Sequence, residues 1–296
     1  MQTIRNPIEL LVDVVKQVGD ALVRVAYAVR GNRPVAESVR PEVRRIALAD
    51  LRAVLRKGLE DFRAARTDVA FICIIYPIVG LLLVRGAFHY AVLPLIFPAI
   101  AGFALVGPVA GIGLYELSRQ RERGERPNWL QAVAMVSSPA FGAILLLGLV
   151  LAGLFFSWLG AAQAVYDATL GPAPPASLAA FVQDVLTTPA GWTMIVVGTG
   201  IGFLFALVAF VISVVSFPMM LDRDAGVVTA VTTSVRVVAK NPGPMTAWAA
   251  ILVAGLGVGA ATLFLGLIVV MPVLGHATWH LYRLAVARPG EAGASV

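Results

Sequence analysis

The sequence is short of charge, shorter still of cysteine and histidine, and contains five long stretches with no Asp, Glu, Lys, Arg or His. Asp, Glu, Lys and Arg make up 14% of the 296 residues, and hydrophobic residues 59%. A soluble domain carries about 25% charged and roughly 45–50% apolar residues. With a mean hydropathy of +0.85, this chain cannot clothe a water-facing surface, which excludes an ordinary soluble enzyme. The single cysteine, Cys73, excludes an intrachain disulfide and argues against a thiolate metal cage. No Asp, Glu, Lys, Arg or His occurs at 69–84, 91–115, 139–162, 189–221 or 242–275. Proton relays, ion pathways and charge-coupled transporters place ionisable groups at membrane depth, so these blanks argue against all three. There is no Ser-His-Asp set, no HExxH and no paired carboxylate site in the apolar runs. The N-terminus lacks the uninterrupted apolar core and small-residue cleavage site of a signal peptide, and is expected to be retained.

What is present reads as a polytopic α-helical bundle. Over half of the 23 Lys and Arg fall before residue 68. There, 8–30 and 45–66 each pattern as an amphipathic helix, broken apart by GNRP at 31–34. In the second, Leu48, Leu51, Leu55, Leu59 and Phe62 form the apolar seam. Both helices are too polar to span and fit the membrane surface. Spans are expected at 69–85, 91–117, 139–162 and 189–221. The run 242–283 is about twice a hydrocarbon core at 1.5 Å per residue, so it divides into two, with Gly255, Gly257 and Gly259 as the expected turn. The result is six spans in three hairpins. Each hairpin follows a cytoplasmic amphipathic segment, at 45–66, 128–137 and 225–240. In the last of these Val227, Val231, Val235 and Val238 face one way, and Thr229, Thr233, Arg236 and Lys240 another. The organisation is a 1–42 extension, a 43–284 membrane domain and a 285–296 tail.

Caps, loops and tryptophans agree with that division. Ser138-Pro139, Thr188-Pro189 and Asn241-Pro242 each pair a capping side chain with a proline at the first helical position. Loops carrying Arg119, Arg121, Arg123 and Arg126, and Arg223, Arg236 and Lys240, should be cytoplasmic. The loop 163–188 has Asp167 and Asp184 but no base, so it should lie on the other side, leaving both termini cytoplasmic. Trp129, Trp158, Trp192, Trp248 and Trp279 all fall near expected span ends, where they would act as interface anchors. The net charge of +6 resides in loops that this topology explains, so nucleic acid is not an expected partner. Membrane lipid is, together with other membrane proteins or a second copy.

Candidate sites are few. His276 and His280, four apart on one helix face, are candidate metal ligands. They cannot supply both axial positions of one haem, and an interfacial position beside Trp279, Tyr282 and Arg283 accounts for them more simply. Asp222, Asp224, Glu116, Glu122 and Glu125 gather carboxylates at one level. The simpler reading is that Asp222 or Asp224 caps the helix from Ala225 and that the glutamates pair with neighbouring arginines. GTGIG at 198–202 sits in an apolar helix with no strand before it, so a dinucleotide loop is excluded. Gly198 and Gly202, like Gly107 and Gly111, have the small-xxx-small spacing of helix packing. Finally, 106–119 and 270–283 match in Val, Pro, Gly, an aromatic, Leu and Arg, a candidate internal duplication. No residues are assigned to catalysis, and no cofactor is expected.

The segments DLRAVLRKGLEDF (50–62), GLYELSR (113–119) and LGHATWHLYR (274–283) resemble a family of predicted bacterial integral membrane proteins known as a domain of unknown function. The resemblance runs over 43–284 and implies an inner-membrane location. Some members are labelled putative cytochrome c oxidase, which implies a respiratory setting and an accessory role there. Three histidines exclude a haem–copper centre, which needs several converging from different helices. Taken together, the residues favour a non-enzymatic subunit, assembly factor or scaffold acting by helix association. A transporter or lipid-handling protein for an uncharged or amphiphilic substrate is the alternative.

Overall fold

A computed structural model of the chain describes residues 41–64, 90–128, 140–223 and 225–288, with 78, 85 and 138. The expected span at 69–85, nearly all of the helix at 128–137 and of the 1–42 extension, His89 and Trp129 lie outside the described residues. Among those described, the regular elements are helices: α1 Asp50–Ala64, a 3-10 turn Tyr90–Leu95, α2 Ile96–Ala110, α3 Ile112–Glu122, α4 Phe141–Thr169, α5 Leu178–Thr187, α6 Pro189–Ser213, α7 Ser216–Arg223, α8 Val227–Lys240, α9 Pro242–Ala261 and α10 Leu267–Ala285. The one extended pairing among the described residues is an antiparallel bridge between Val43 and Val286.

Three of these helices are long and apolar enough to cross a membrane: α4, the 35-residue stretch Pro189–Arg223 made by α6 and α7, and α9. A fourth is possible if Leu93–Gly102 and Gly107–Glu122, bent by 44° at their junction, form one span. Pro108 lies in the second of these arms, where it removes an intrahelical amide and favours such a bend. α10 falls short of the three because its C-terminal half carries His276, His280 and Arg283. At about 1.5 Å per residue, the 29 residues of α4 exceed a ~30 Å hydrocarbon core. It therefore runs past the expected end at 162 into what the sequence reads as a loop, and α5 occupies Leu178–Thr187 of the remainder.

The last apolar run does turn back on itself, but not at its glycines. The reversal is at 262–266, where Leu263 and Phe264 take φ of 52° and 64° and Thr262 Oγ1 accepts from Gly266 N at 2.9 Å. Gly255 and Gly259 serve instead as close-approach points within the hairpin. A Cβ on Gly255 would lie 3.0 Å from Leu274, and one on Gly259 would lie 2.3 Å from Leu267.

Capping follows expectation once. Thr188 Oγ1 accepts from Gly191 N at 3.0 Å, with Pro189 opening α6. Asn241 does not cap α9. Its amide instead ties a remote segment, accepting from Ile46 N at 2.7 Å and donating to the Arg44 carbonyl at 3.0 Å. Ser138 offers its carbonyl to Phe141 N at 3.1 Å, and α4 has no side-chain cap. Gly226 precedes α8 without a side-chain cap, so Asp222 does not cap that helix. Asp224 lies outside the described residues.

Burial divides the molecule into a packed head and bare shafts. Phe217, Met219, Met220, Met245, Trp248, Trp279 and Tyr282 are essentially inaccessible, and they come from the ends of α7, α9 and α10 that meet α1, α3 and α8. By contrast, only 6% of the apolar window in Pro189–Arg223 is buried, and 17% of that in α9. Leu149, Phe156, Val196, Phe203, Val253 and Val258 stand open. Water cannot be the solvent of such shafts, and their backbones are satisfied internally as lipid requires. α8 is helical as its spacing predicts, but its buried face is Ala230, Thr233, Ser234 and Val237 rather than the valine row. The small hydroxyls can face inward because carbonyls accept from them: Thr229 O from Thr233 at 2.7 Å and Val211 O from Ser234 at 2.7 Å.

Candidate functional site

Three helices converge at the head because two glycines let them. A Cβ on Gly58 of α1 would lie 2.7 Å from Ala277 Cβ, Ala277 N and the Val273 carbonyl of α10, and a Cβ on Gly275 of α10 would lie 2.5 Å from Leu114 of α3. α1 therefore docks on protein, burying Leu51, Val54, Gly58, Asp61 and Phe62. Leu51 and Phe62 of the expected seam are buried, but the buried face is rotated toward Val54, Gly58 and Asp61, so that Leu55 and Leu59 are only half-buried. This rotation carries the carboxylate of Asp61 into the interface, where burial must be compensated by partners.

The partners come from all sides. Ser118 Oγ donates to Asp61 Oδ2 at 2.6 Å, His280 Nε2 lies 2.8 Å from the same oxygen, and an Arg121 guanidinium nitrogen donates to Oδ1 at 2.6 Å. His276 Nδ1 lies 2.8 Å from Ser118 Oγ. The hydroxyl has one proton and gives it to the acid, so the imidazole nitrogen is the donor in that contact. His276 Nε2 is buried with no hydrogen-bond partner among the described residues. Burial pushes the Asp61 carboxyl up, but the hydrogen bonds from His280 and Ser118 and the charges of the two histidines outweigh it. They hold the group below its ordinary 3.8.

A second cluster adjoins the first. Arg283 bridges Glu122 Oε2 at 2.8 Å and Asp222 Oδ2 at 2.7 Å, and its guanidinium lies 4.8 Å from the Trp279 ring centre. Tyr282 donates to Asp222 at 2.7 Å and accepts from Arg223 at 2.8 Å. Trp279 Nε1 donates to Glu122 at 3.1 Å, and Arg288 reaches the other oxygen of Glu122 at 2.5 Å. Glu116 pairs with Arg119 at 2.8 Å. Between α1, α3 and α10 opens a cleft of about 580 Å³ with Lys57, Asp61, Arg121, Glu122, His280 and Arg283 on its walls.

This arrangement does not activate a nucleophile. In a catalytic triad the histidine stands between serine and acid and takes the serine proton; here Ser118 stands between acid and histidine and gives its proton to the acid. Among the described residues no three His, Cys, Asp or Glu side chains group to hold a metal ion. Chemically it is a latch that holds α1, α3, α7 and α10 together through charge-assisted hydrogen bonds.

Residues 96–222 match the family model described as a predicted integral membrane protein, DUF2189. No curated protein and no solved structure matches the chain. The chain is an integral membrane protein. The DUF2189 match is narrower than the expected 43–284. It takes in α2 to most of α7, with Ser118, Arg121, Glu122 and Asp222, and leaves Asp61, His276 and His280 outside.

The structure brings His276 and His280 together at the latch. The acid and hydroxyl that complete it, Asp61 and Ser118, and the base Arg121 were missed as members of the site. The available signal was Asp61 itself, an acid at helical spacing from Val54 and Gly58. Of the packing glycines, Gly202 is in tight contact, its Cβ position 2.8 Å from Trp158. Gly198 is 3.9 Å from Val165, Gly111 faces Tyr115 of its own helix at 2.8 Å, and Gly107 has open space. Trp158, Trp248 and Trp279 are buried, with Trp158 Nε1 donating to the Pro98 carbonyl at 2.9 Å. Trp192 is exposed and donates to the Leu186 carbonyl at 3.0 Å.

Proposed function

We propose that this protein works without catalysis, by association in the bacterial inner membrane, as a subunit, assembly factor or scaffold built of six spans in three hairpins. One observation carries the reading: the carboxylates Asp61, Glu122 and Asp222 of the head are engaged by neighbouring donors, while the shafts of α6 and α9 present open apolar faces. A binding or reaction centre keeps groups in reserve for its ligand. Here Asp61 has donors on both oxygens and Glu122 on both of its own. In this reading 69–85 supplies the first span and α10 the last. The arginine-bearing head faces the cytoplasm. The test is the native mass of the protein released from the membrane in several mild detergents. Oligomers or constant co-purifying membrane proteins are expected, and a solitary monomer in every detergent contradicts the proposal.

A second reading, passage of an uncharged or amphiphilic substrate, is favoured by the 44° bend between Leu93–Gly102 and Gly107–Glu122, a feature of discontinuous spans in transporters. Vesicles holding the protein would then exchange such a solute or a labelled lipid faster than empty vesicles. Equal rates would dismiss it.

A further inference from the structure

α5 sits at the far end of the shafts from the latch, in the 19 residues between α4 and α6. Its ends are both fixed. Ser177 Oγ accepts from Ala180 N at 3.1 Å, and Thr188 Oγ1 donates to the Asp184 carbonyl at 2.6 Å while capping α6. Gly191 lets the first turn of α6 close on α5, since a Cβ there would lie 2.4 Å from the Asp184 and Val185 carbonyls. Trp192 closes the corner through the Leu186 carbonyl. α5 is thus a rigid arm.

Its apolar face is wider than the protein covers. Phe181 lies edge-on to Tyr166 with ring centres 6.2 Å apart, and Val185 is half-buried. Leu178, Val182 and Leu186, at four-residue spacing on the neighbouring side, are 56%, 45% and 55% exposed. Gln183, Asp184 and Thr187 occupy the opposite side. The open row does not end with the helix, because Trp192, Val196 and Phe203 continue it along the open face of α6, at 55%, 67% and 63% exposure. A row that merges with a span face is covered by whatever covers the span.

We infer that α5 is an interfacial helix that lays Leu178, Val182 and Leu186 into the outer leaflet, with Trp192 at its corner, the occupant of this surface being bilayer lipid. Asp167 and Asp184, with no base between 163 and 188, suit zwitterionic rather than anionic headgroups. The inference rests on α6 being a span.

The test uses full-length protein in phosphatidylcholine nanodiscs, in a Cys73→Ser background, with a nitroxide label at Leu178→Cys, Val182→Cys, Leu186→Cys, Gln183→Cys or Val196→Cys. Labels at 178, 182 and 186 should collide with oxygen more than with a water-soluble nickel chelate, as at 196, and the label at 183 should show the reverse. Nickel access at 178, 182 and 186 equal to that at 183 would overturn the inference. Shielding of the three from both reagents would also overturn it, as cover by a second copy. Val196 separates the two claims: a water-exposed label there would refute the span, whereas a lipid-exposed one with a water-exposed α5 refutes only the interfacial helix.

Discussion

Asp61 shows how one residue sets the character of the head. A carboxylate buried with three donors loses much when they are left without it, because breaking a buried charged network costs about 3 kcal/mol. Asp61→Asn should therefore lower Tm in detergent clearly. Glu60→Gln, which removes only the exposed Arg56–Glu60 pair at 3.7 Å, should leave Tm unchanged. His280→Gln, which can still donate to Asp61, should cost less than His280→Ala, and unfolding of the two variants side by side checks this. The pH dependence follows from the direction of the Asp61 shift. A carboxyl held below 3.8 stabilises the fold fully above that value, and the contribution is lost as pH falls through the lower folded value. Hydrogen exchange of 50–64 should gain a component in acid below about pH 4 from Asp61, and that component should be missing in Asp61→Asn. Half of this site was legible beforehand, in the four-residue spacing of His276 and His280. The other half was not, because Asp61 and Ser118 are 215 and 158 residues from the first of that pair, and hydropathy reads Asp61 as one more charge on the wet side of a helix.

At the scale of elements, packing is decided where side chains are absent. Gly58 lies against backbone atoms of α10 that cannot yield, so Gly58→Val should undock α1 and expose 50–64 to protease, at a cost of about 1–3 kcal/mol. Gly202→Val should separate α4 from α6, because the Trp158 ring it would strike is pinned through Pro98. A fall in Tm with unchanged α1 protection would distinguish the two sites. Element type was readable throughout α1, α4, α6, α8 and α9, since long apolar runs and 3.6-residue spacing are one-dimensional signals. The rotation of α1 and α8 was not, because it depends on which neighbour offers a glycine or a carbonyl. The Leu263–Phe264 reversal escaped for a related reason. Three glycines signalled a turn by their freedom, yet the helix uses two of them for closeness and accepts left-handed backbone at Leu and Phe instead.

For the molecule as a whole, head and shafts belong to different solvents. The bridge between Val43 and Val286, with Arg44 N donating to the Ala285 carbonyl at 2.8 Å, brings the beginning and the end of the membrane domain to one side. The segment between α4 and α5 belongs at the other. The sequence expects the same two ends from its alternation of arginine-rich and base-free loops, while the packed head escaped it because its residues come from stretches far apart in the chain. The most direct test is a pair of reporter fusions, one after Val296 and one after Pro174, to an enzyme active only outside the cytoplasm. Silence at Val296 and activity at Pro174 are the outcome required. Activity at Val296, or equal signals from both, would contradict a membrane bundle whose head lies in the cytoplasm.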